Sequence, residues 1–365
     1  MKTYADQIKS VKDYINLPFA YDHWYVAGFR EEFGREPKAK TLLERSIVFY
    51  RTEAGEISAF QNRCLHRSFP LSEGYLEGDN LVCRYHGIRY APDGSVVRVP
   101  CQDKKANRKL RTYPLREHGP YVFIWMGDPD HPEIDAKFPN LFFLEDETYR
   151  TVHDEIGLEG NYLLMQENLN DLTHFAYLHK DSFGFDDSFF ETERVVEKRE
   201  DGVYCKYIEK QPTKSLSILP VEAQEEMLAA DVSERWDEGV ALSPGVFRGY
   251  APFFAGAEDD PNRKTFNQYV LHYLTPETRS TSHYWWSISA DYGLDNDLYF
   301  EMLKGIIGTG FEEDLWACKH MQTLLDNDKI EFDEMIIAGD QAGLLFRRMM
   351  LDWITAEHGE SPPDA

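Results

Sequence analysis

From Trp24 to about Met126 the apolar residues come in short runs broken by Gly, Asp and Asn. Ser46–Tyr50, Ile57–Phe60 and Tyr121–Trp125 read as strands, and Pro92-Asp93-Gly94 as a tight turn. Residues 4–16 predict a short helix ahead of them. The run Gly127-Asp128-Pro129-Asp130-His131-Pro132 reads as a linker and places a boundary near residues 127–140. The texture then changes. Residues 159–178 predict a helix, 193–210 a hairpin turning at Glu200-Asp201-Gly202, and Phe266–Leu274 and His283–Ala290 aromatic strands. Residues 295–326 and Asp340–His358 predict long helices. The fold class expected is α+β: a helical segment at 1–19, an all-β domain at 20–135 and an α+β domain at 140–365.

The 365 residues suffice for two sizeable cores, and 42% hydrophobic with 14% aromatic residues can fill them. Thirty-nine Lys and Arg against 64 Asp and Glu leave a formal charge of −25. That sign argues against nucleic-acid and anionic-membrane binding and for solubility. No apolar run approaches the roughly 20 residues that span a bilayer, and the N-terminus has no signal-peptide core. Five scattered cysteines do not form a disulfide framework. A reducing cytoplasm is the expected compartment, where paired Cys and His point to a metal.

Two such pairs occur, Cys64-Leu65-His66 and Cys83-Arg84-Tyr85-His86. Coincidence is one reading. A structural zinc is a second, although zinc sites more often pair Cys with Cys and His with His. The third is a Rieske [2Fe–2S] cluster, in which two thiolates hold one iron and two imidazoles the other. One Cys and one His from each loop suits that division.

A second polar constellation lies in the predicted helix, within Glu167-Asn168-Leu169-Asn170-Asp171-Leu172-Thr173-His174-Phe175-Ala176-Tyr177-Leu178-His179. Steps of three put Asn168, Asp171 and His174 on one face. His179 follows His174 by five, which on an ideal helix turns it about 140° away. Convergence on one ion therefore requires a π-bulge or a helix end. Two His with one carboxylate make the facial triad of non-haem Fe(II) oxygenases, with positions open for O2. A surface helix with paired polar side chains is the alternative.

Arg63-Cys64-Leu65-His66-Arg67, Cys83-Arg84-Tyr85-His86-Gly87, Gly94 and Pro100 resemble the Rieske domain of the aromatic-ring-hydroxylating oxygenase α-subunits, as does Trp24-Tyr25-Val26-Ala27-Gly28. Ile88 departs from the Trp that many members carry. Respiratory-chain Rieske proteins have an extra Cys in each loop; here those places hold Phe69 and Tyr85. The pattern Asn-x-x-Asp-x-x-His-x4-His resembles the same family's iron helix. The stretch Asp340-Gln341-Ala342-Gly343 through Arg347-Arg348 is similar to members of the vanillate O-demethylase and monooxygenase branch, which demethylate or monohydroxylate small aromatic acids; packing of a terminal amphipathic helix is its plain alternative. The resemblance implies a helix-grip catalytic domain, with His174 and His179 as iron ligands, Asn168 near the iron and Asp171 as a bridging carboxylate. The third ligand comes from Phe311-Glu312-Glu313-Asp314-Leu315-Trp316, as Asp314 or, alternatively, Glu313.

The same resemblance implies a terminal oxygenase component using O2 and NAD(P)H-derived electrons on a small aromatic substrate, by O- or N-dealkylation or hydroxylation. Ring cis-dihydroxylation is the alternative, and an electron carrier without catalysis a third. A homotrimer is implied, with Asp171 joining His86 of one subunit to His174 of the next and accepting from both imidazoles. No Gly-x-Gly-x-x-Gly fingerprint is present, so a reductase or ferredoxin partner is expected. The basic cluster Lys104, Lys105, Arg108, Lys109 and Arg111 is a candidate docking face for an acidic ferredoxin, with a solvated loop as its plain alternative. The substrate pocket is expected from about residues 205 to 290.

Overall fold

The computed structural model describes residues 4, 8, 10–103, 106–212, 215–330, 332 and 334–359. Two units emerge: Tyr21–Phe138 with Thr275–Thr278, and 1–20, 139–274 and 279–365 together. Residues 5–7 and 9 of the expected 4–16 helix and the tail beyond Gly359 lie outside the described residues. What is described is a single turn, α1 (Val11–Ile15), closed by a Ser10/Asp13 capping box and belonging to the larger unit.

The smaller unit is all β. Its strands are β1 (Trp24–Phe29), β2 (Lys38–Leu42), β3 (Arg45–Arg51), β4 (Ile57–Gln61), β5 (Tyr75–Glu77), β6 (Asn80–Val82), β7 (Arg89–Tyr90), β8 (Val96–Arg98), β9 (Leu115–His118) and β10 (Tyr121–Trp125). They form antiparallel sheets ordered β1-β10-β9, β2-β3-β4 and β5-β6-β7-β8. All five residues of β10 are buried, which is why its sequence lacks the polar alternation of a half-exposed strand. Trp24 stands opposite Trp125, their rings 5.7 Å apart edge to face. A second cluster, including Val48, Tyr50, Phe60, Leu81 and Tyr90, incorporates Cys64 and Cys83. The cysteine loops thus belong to the core. Ile88 fills part of that cluster.

The larger unit is α+β. Its strands are β11 (Arg150–Leu158), β12 (Glu193–Arg199), β13 (Gly202–Lys210), β14 (Ser233–Ser243), β15 (Val246–Tyr250), β16 (Phe253–Ala255), β17 (Lys264–Phe266), β18 (Gln268–Pro276) and β19 (Ser282–Ala290). The sheet runs β11-β19-β18-β15-β14-β13-β12, with β16 and β17 branching from β14. The hairpin expected at 193–210 is β12–β13, with Arg199 opposite Gly202. The helices are α2 (Tyr162–Asn170), α3 (Val221–Ala229), α4 (Asp297–Asn327) and α5 (Gln341–His358). In α4, Phe311, Asp314, Leu315 and Cys318 form a buried stripe at helical spacing. Phe311 meets Trp286 of β19 with ring centres 5.2 Å apart. The short α2 packs against α4, α5 and β14. Its Glu167 receives the Arg347 guanidinium in a two-pronged pair, Nη2 to Oε2 at 2.7 Å. Through that contact the Asp340–Arg348 stretch ties the last helix to the helix that leads to the site. No helix among the described residues is long and apolar enough to cross a membrane.

Candidate metal centres and active site

The two Cys/His loops are bonded alike. In one, Cys64 N–H donates to Phe69 O at 2.9 Å and Ser68 N–H to Cys64 O at 3.0 Å. In the other, Cys83 N–H donates to Ile88 O and Gly87 N–H to Cys83 O, both at 2.8 Å. Each loop closes through a residue in left-handed backbone, Ser68 at φ 56° and Gly87 at φ 71°. A side chain at position 87 would also press on the Pro100 ring. The result is two matching loops. Both cysteines are buried, with Tyr90 Oη 3.2 Å from Cys64 Sγ, while His66 and His86 are exposed, ring centres 4.6 Å apart. All five cysteines are free. Phe69 and Tyr85 place their rings 5.7 Å apart.

This arrangement separates thiols from imidazoles. A tetrahedral zinc would need all four donors around one point. Among the described residues, the one group of three donors within 4.8 Å of each other is His174, His179 and Asp314. Buried sulfurs below and exposed imidazoles above fit two irons with different ligands instead.

The second centre depends on where a helix stops. The expected helix over 159–178 ends at Asn170. Asp171 is extended, at φ −133° and ψ 96°, and its carboxylate caps a 3₁₀ turn over Leu172–Ala176 by accepting from Thr173 N–H at 2.9 Å. The chain therefore leaves the helix eight residues before the expected end at 178, ahead of both histidines, and Asn168, Asp171 and His174 do not share a helical face. His174 sits on the turn and His179 beyond it, with ring centres 5.0 Å apart. Asp314 Oδ1, from α4, lies 3.3 Å from His174 Nε2 and 3.1 Å from His179 Nε2.

Each imidazole is held from its far side. His174 Nδ1 is 2.6 Å from the main-chain oxygen of Asp171, which can only accept, so Nδ1 carries the proton and Nε2 the lone pair. His179 Nδ1 is 2.7 Å from Glu313 Oε2, which also accepts from Ser182 Oγ at 2.6 Å. Both Nε2 atoms are buried and make no well-directed hydrogen bond to the carboxylate between them. Burial works against the Asp314 anion; when the two imidazoles carry protons at Nε2 their attraction outweighs it and holds the carboxyl far below the ordinary range, and with those lone pairs free a cation takes that place. Two imidazole lone pairs and a carboxylate aimed at one point fit a divalent iron. Asn168 Nδ2 donates to Asp314 Oδ1 at 2.9 Å and keeps the carboxylate in place.

Comparison with known proteins agrees with both centres. Residues 23–114 match the Rieske [2Fe-2S] domain, and residues 158–356 match the vanillate O-demethylase oxygenase C-terminal domain. The chain belongs to the vanillate O-demethylase family of Rieske oxygenases. The toluene-4-sulfonate monooxygenase system iron-sulfur subunit of Comamonas testosteroni is 30% identical to this oxygenase over 94% of the chain and 100% of its own length. The dicamba O-demethylase oxygenase component of Stenotrophomonas maltophilia is 30% identical over 77% of this chain and 81% of its own. The crystal structure of dicamba monooxygenase bound to 3,6-dichlorosalicylic acid superposes with a TM-score of 0.76 at 25% identity, covering 93% of the oxygenase and 99% of that chain.

Two details of the oxygenase depart from the sequence expectations. Glu313, the alternative third ligand, faces His179 Nδ1 and not the shared point. Asp171 meets His174 through its main-chain oxygen, because its carboxylate is engaged as the cap of the following turn. The expected carboxylate–His174 bond is absent from the described contacts. Glu313 is therefore the residue whose role the sequence did not disclose. Replacing it with Gln should weaken retention of the iron about 10- to 100-fold in a chelator competition, since partners behind a ligating His tune it by that much. Unchanged retention would remove Glu313 from the support of His179.

Beside the triad lies a cavity of about 190 Å³. Residues 205–290 contribute its sheet wall, as expected, but Phe175, Phe183 and α4 residues Ile307 and Phe311 close the rest. His272 lines it too; its Nδ1 is 2.7 Å from Tyr284 Oη, and burial pushes its pKa down to about 3, so the ring is neutral. In the expected ferredoxin-docking cluster, Lys104 and Lys105 lie outside the described residues. Arg111 Nη2 donates to Met126 O and Gly127 O, and Lys109 lies 3.7 Å from Asp93.

Proposed function

We propose that this chain is the terminal oxygenase of a multicomponent system that removes a methyl or similar group from an O- or N-substituted small aromatic. The observation that carries the reading is the convergence of His174 Nε2, His179 Nε2 and Asp314 Oδ1 beside a mainly apolar cavity of about 190 Å³. When loaded, the triad iron supplies O2 activation, and the cluster supplies electrons singly from a ferredoxin or flavin-dependent reductase.

In this reading Cys64 and Cys83 hold one cluster iron and His66 and His86 the other. His174, His179 and Asp314 hold the catalytic iron, and Asn168 steadies Asp314. Asp171 lies between His86 of the partner subunit and His174 in a homotrimer. The aromatic wall excludes water and orients the substrate. Two electrons, two protons and O2 convert the bound methyl ether or amine into an alcohol on that carbon plus water. The resulting hemiacetal or hemiaminal then releases formaldehyde. Methoxylated and N-methylated aromatics with a surrogate reductase should yield formaldehyde in step with NADH consumed. A cis-diol in its place would move the chain to the ring-dihydroxylating alternative.

A further inference from the structure

The cavity carries a second charged pair besides the iron triad. β14 alternates, so Ser233, Arg235, Asp237 and Gly239 are buried on one face. Arg235 and Asp237, each 8% exposed, line the cavity and bond to each other, Nη2 to Oδ1 at 2.6 Å. Arg235 Nε is buried with no hydrogen-bond partner. The guanidinium stands 5.9 Å from the Phe185 ring, Phe185 is 5.3 Å from Phe175, and Phe175 is 5.1 Å from the His174 ring. Two aromatic rings thus link the ion pair to the triad by successive contacts. The other lining carboxylate away from the iron, Glu238, is 3.6 Å from Lys206.

Among the described lining residues, the only guanidinium is thus already neutralised. An aromatic carboxylate or sulfonate would have to lose its hydration beside a pair with no net charge, next to Asp237. Desolvating an uncharged amide costs far less. Its carbonyl satisfies an Arg235 N–H and its own N–H finds Asp237, so donor and acceptor are met side by side.

We propose that Arg235 and Asp237 form a recognition site for an uncharged aromatic carrying an amide-like donor–acceptor group, in preference to an aromatic acid. The inference rests on the reading of this cavity as the substrate site. Calorimetry on the iron- and cluster-loaded protein, without O2, would compare 4-methoxybenzamide with 4-methoxybenzoate. The amide should bind at least about tenfold more tightly. Asp237→Asn should reverse the order by freeing Arg235 for the anion, and the Arg235→Gln/Asp237→Asn double variant should bind both probes within about threefold of each other. A wild-type preference for the benzoate, an unaltered preference in Asp237→Asn, or no binding of the amide would each overturn the proposal. Turnover is scored separately. Amide binding as expected without formaldehyde would fail the dealkylation reading and leave the recognition site standing.

Discussion

Asp314→Asn is expected to give a folded, coloured protein that keeps its Rieske cluster and loses its catalytic iron. The exchange preserves volume and the buried stripe of α4, and an amide oxygen can still accept from Asn168 Nδ2, now 2.9 Å from Oδ1. What disappears is the anion between two imidazole lone pairs, 3.3 and 3.1 Å away. Two neutral imidazoles alone are a weak site for ferrous iron, which favours mixed nitrogen and carboxylate donors. Metal analysis should therefore show only the cluster iron, with the reduced protein's EPR signal unchanged. Turnover should fall at least about 10³-fold, because the open coordination site for O2 goes with the metal. Full iron content and near-normal turnover in this variant would remove Asp314 from the ligand set. Loss of the EPR signal as well would mean that the substitution damages the fold at large.

The second large effect is expected at Asp171, and two substitutions separate its roles. Its Oδ1 caps the turn that carries His174, and its main-chain oxygen fixes the His174 tautomer. Asn keeps both bonds and removes only the charge. Ala keeps the main-chain bond and loses the cap, which costs about 1 kcal/mol of stability. If the carboxylate connects the two metal centres across a subunit boundary, both variants should hold both metals and turn over about 10²-fold more slowly, with only Ala melting earlier. An Asn variant at wild-type rate would leave Asp171 a structural cap and nothing more. The carboxylate's surroundings agree with a constrained position. A Cβ at Gly339 would come within 2.6 Å of Asp171 Oδ2, so a larger residue there would have to displace the Asp171 carboxylate.

The candidate metal donors closest in sequence were the easiest to read. Cys64 with His66, Cys83 with His86, and His174 with His179 each lie on one short segment, so their spacing alone limits what they can hold. The same locality made the 193–210 hairpin and the helices near 295–326 and 340–358 readable, since a turn dipeptide or a helical stripe is a near-neighbour property. The helix end at Asn170 was required by the chemistry of two histidines but was not placed by the spacing. Asp171 ends it by turning extended and capping the next turn, a local competition that periodicity does not register.

The third donor shows what sequence cannot fix. Glu312, Glu313 and Asp314 are adjacent acids about 140 residues from His174, and no local rule distinguishes them. Helical phase does: Asp314 falls in the apolar stripe with Phe311, Leu315 and Cys318, while Glu313 is rotated toward His179 Nδ1. An acid inside an apolar stripe was the available signal. The neutralised Arg235 had a weaker one, because Arg-x-Asp on a strand shows that the two share a face but not that the face lines a cavity.

The amino-acid order by itself determined which short segments carry metal-binding chemistry, since those donors are neighbours along the chain. Tertiary structure alone decided which distant carboxylate joins the two histidines, which groups hold each imidazole from behind, and which charges face the cavity, because those contacts exist only once α4, the turn after α2 and β14 are packed together.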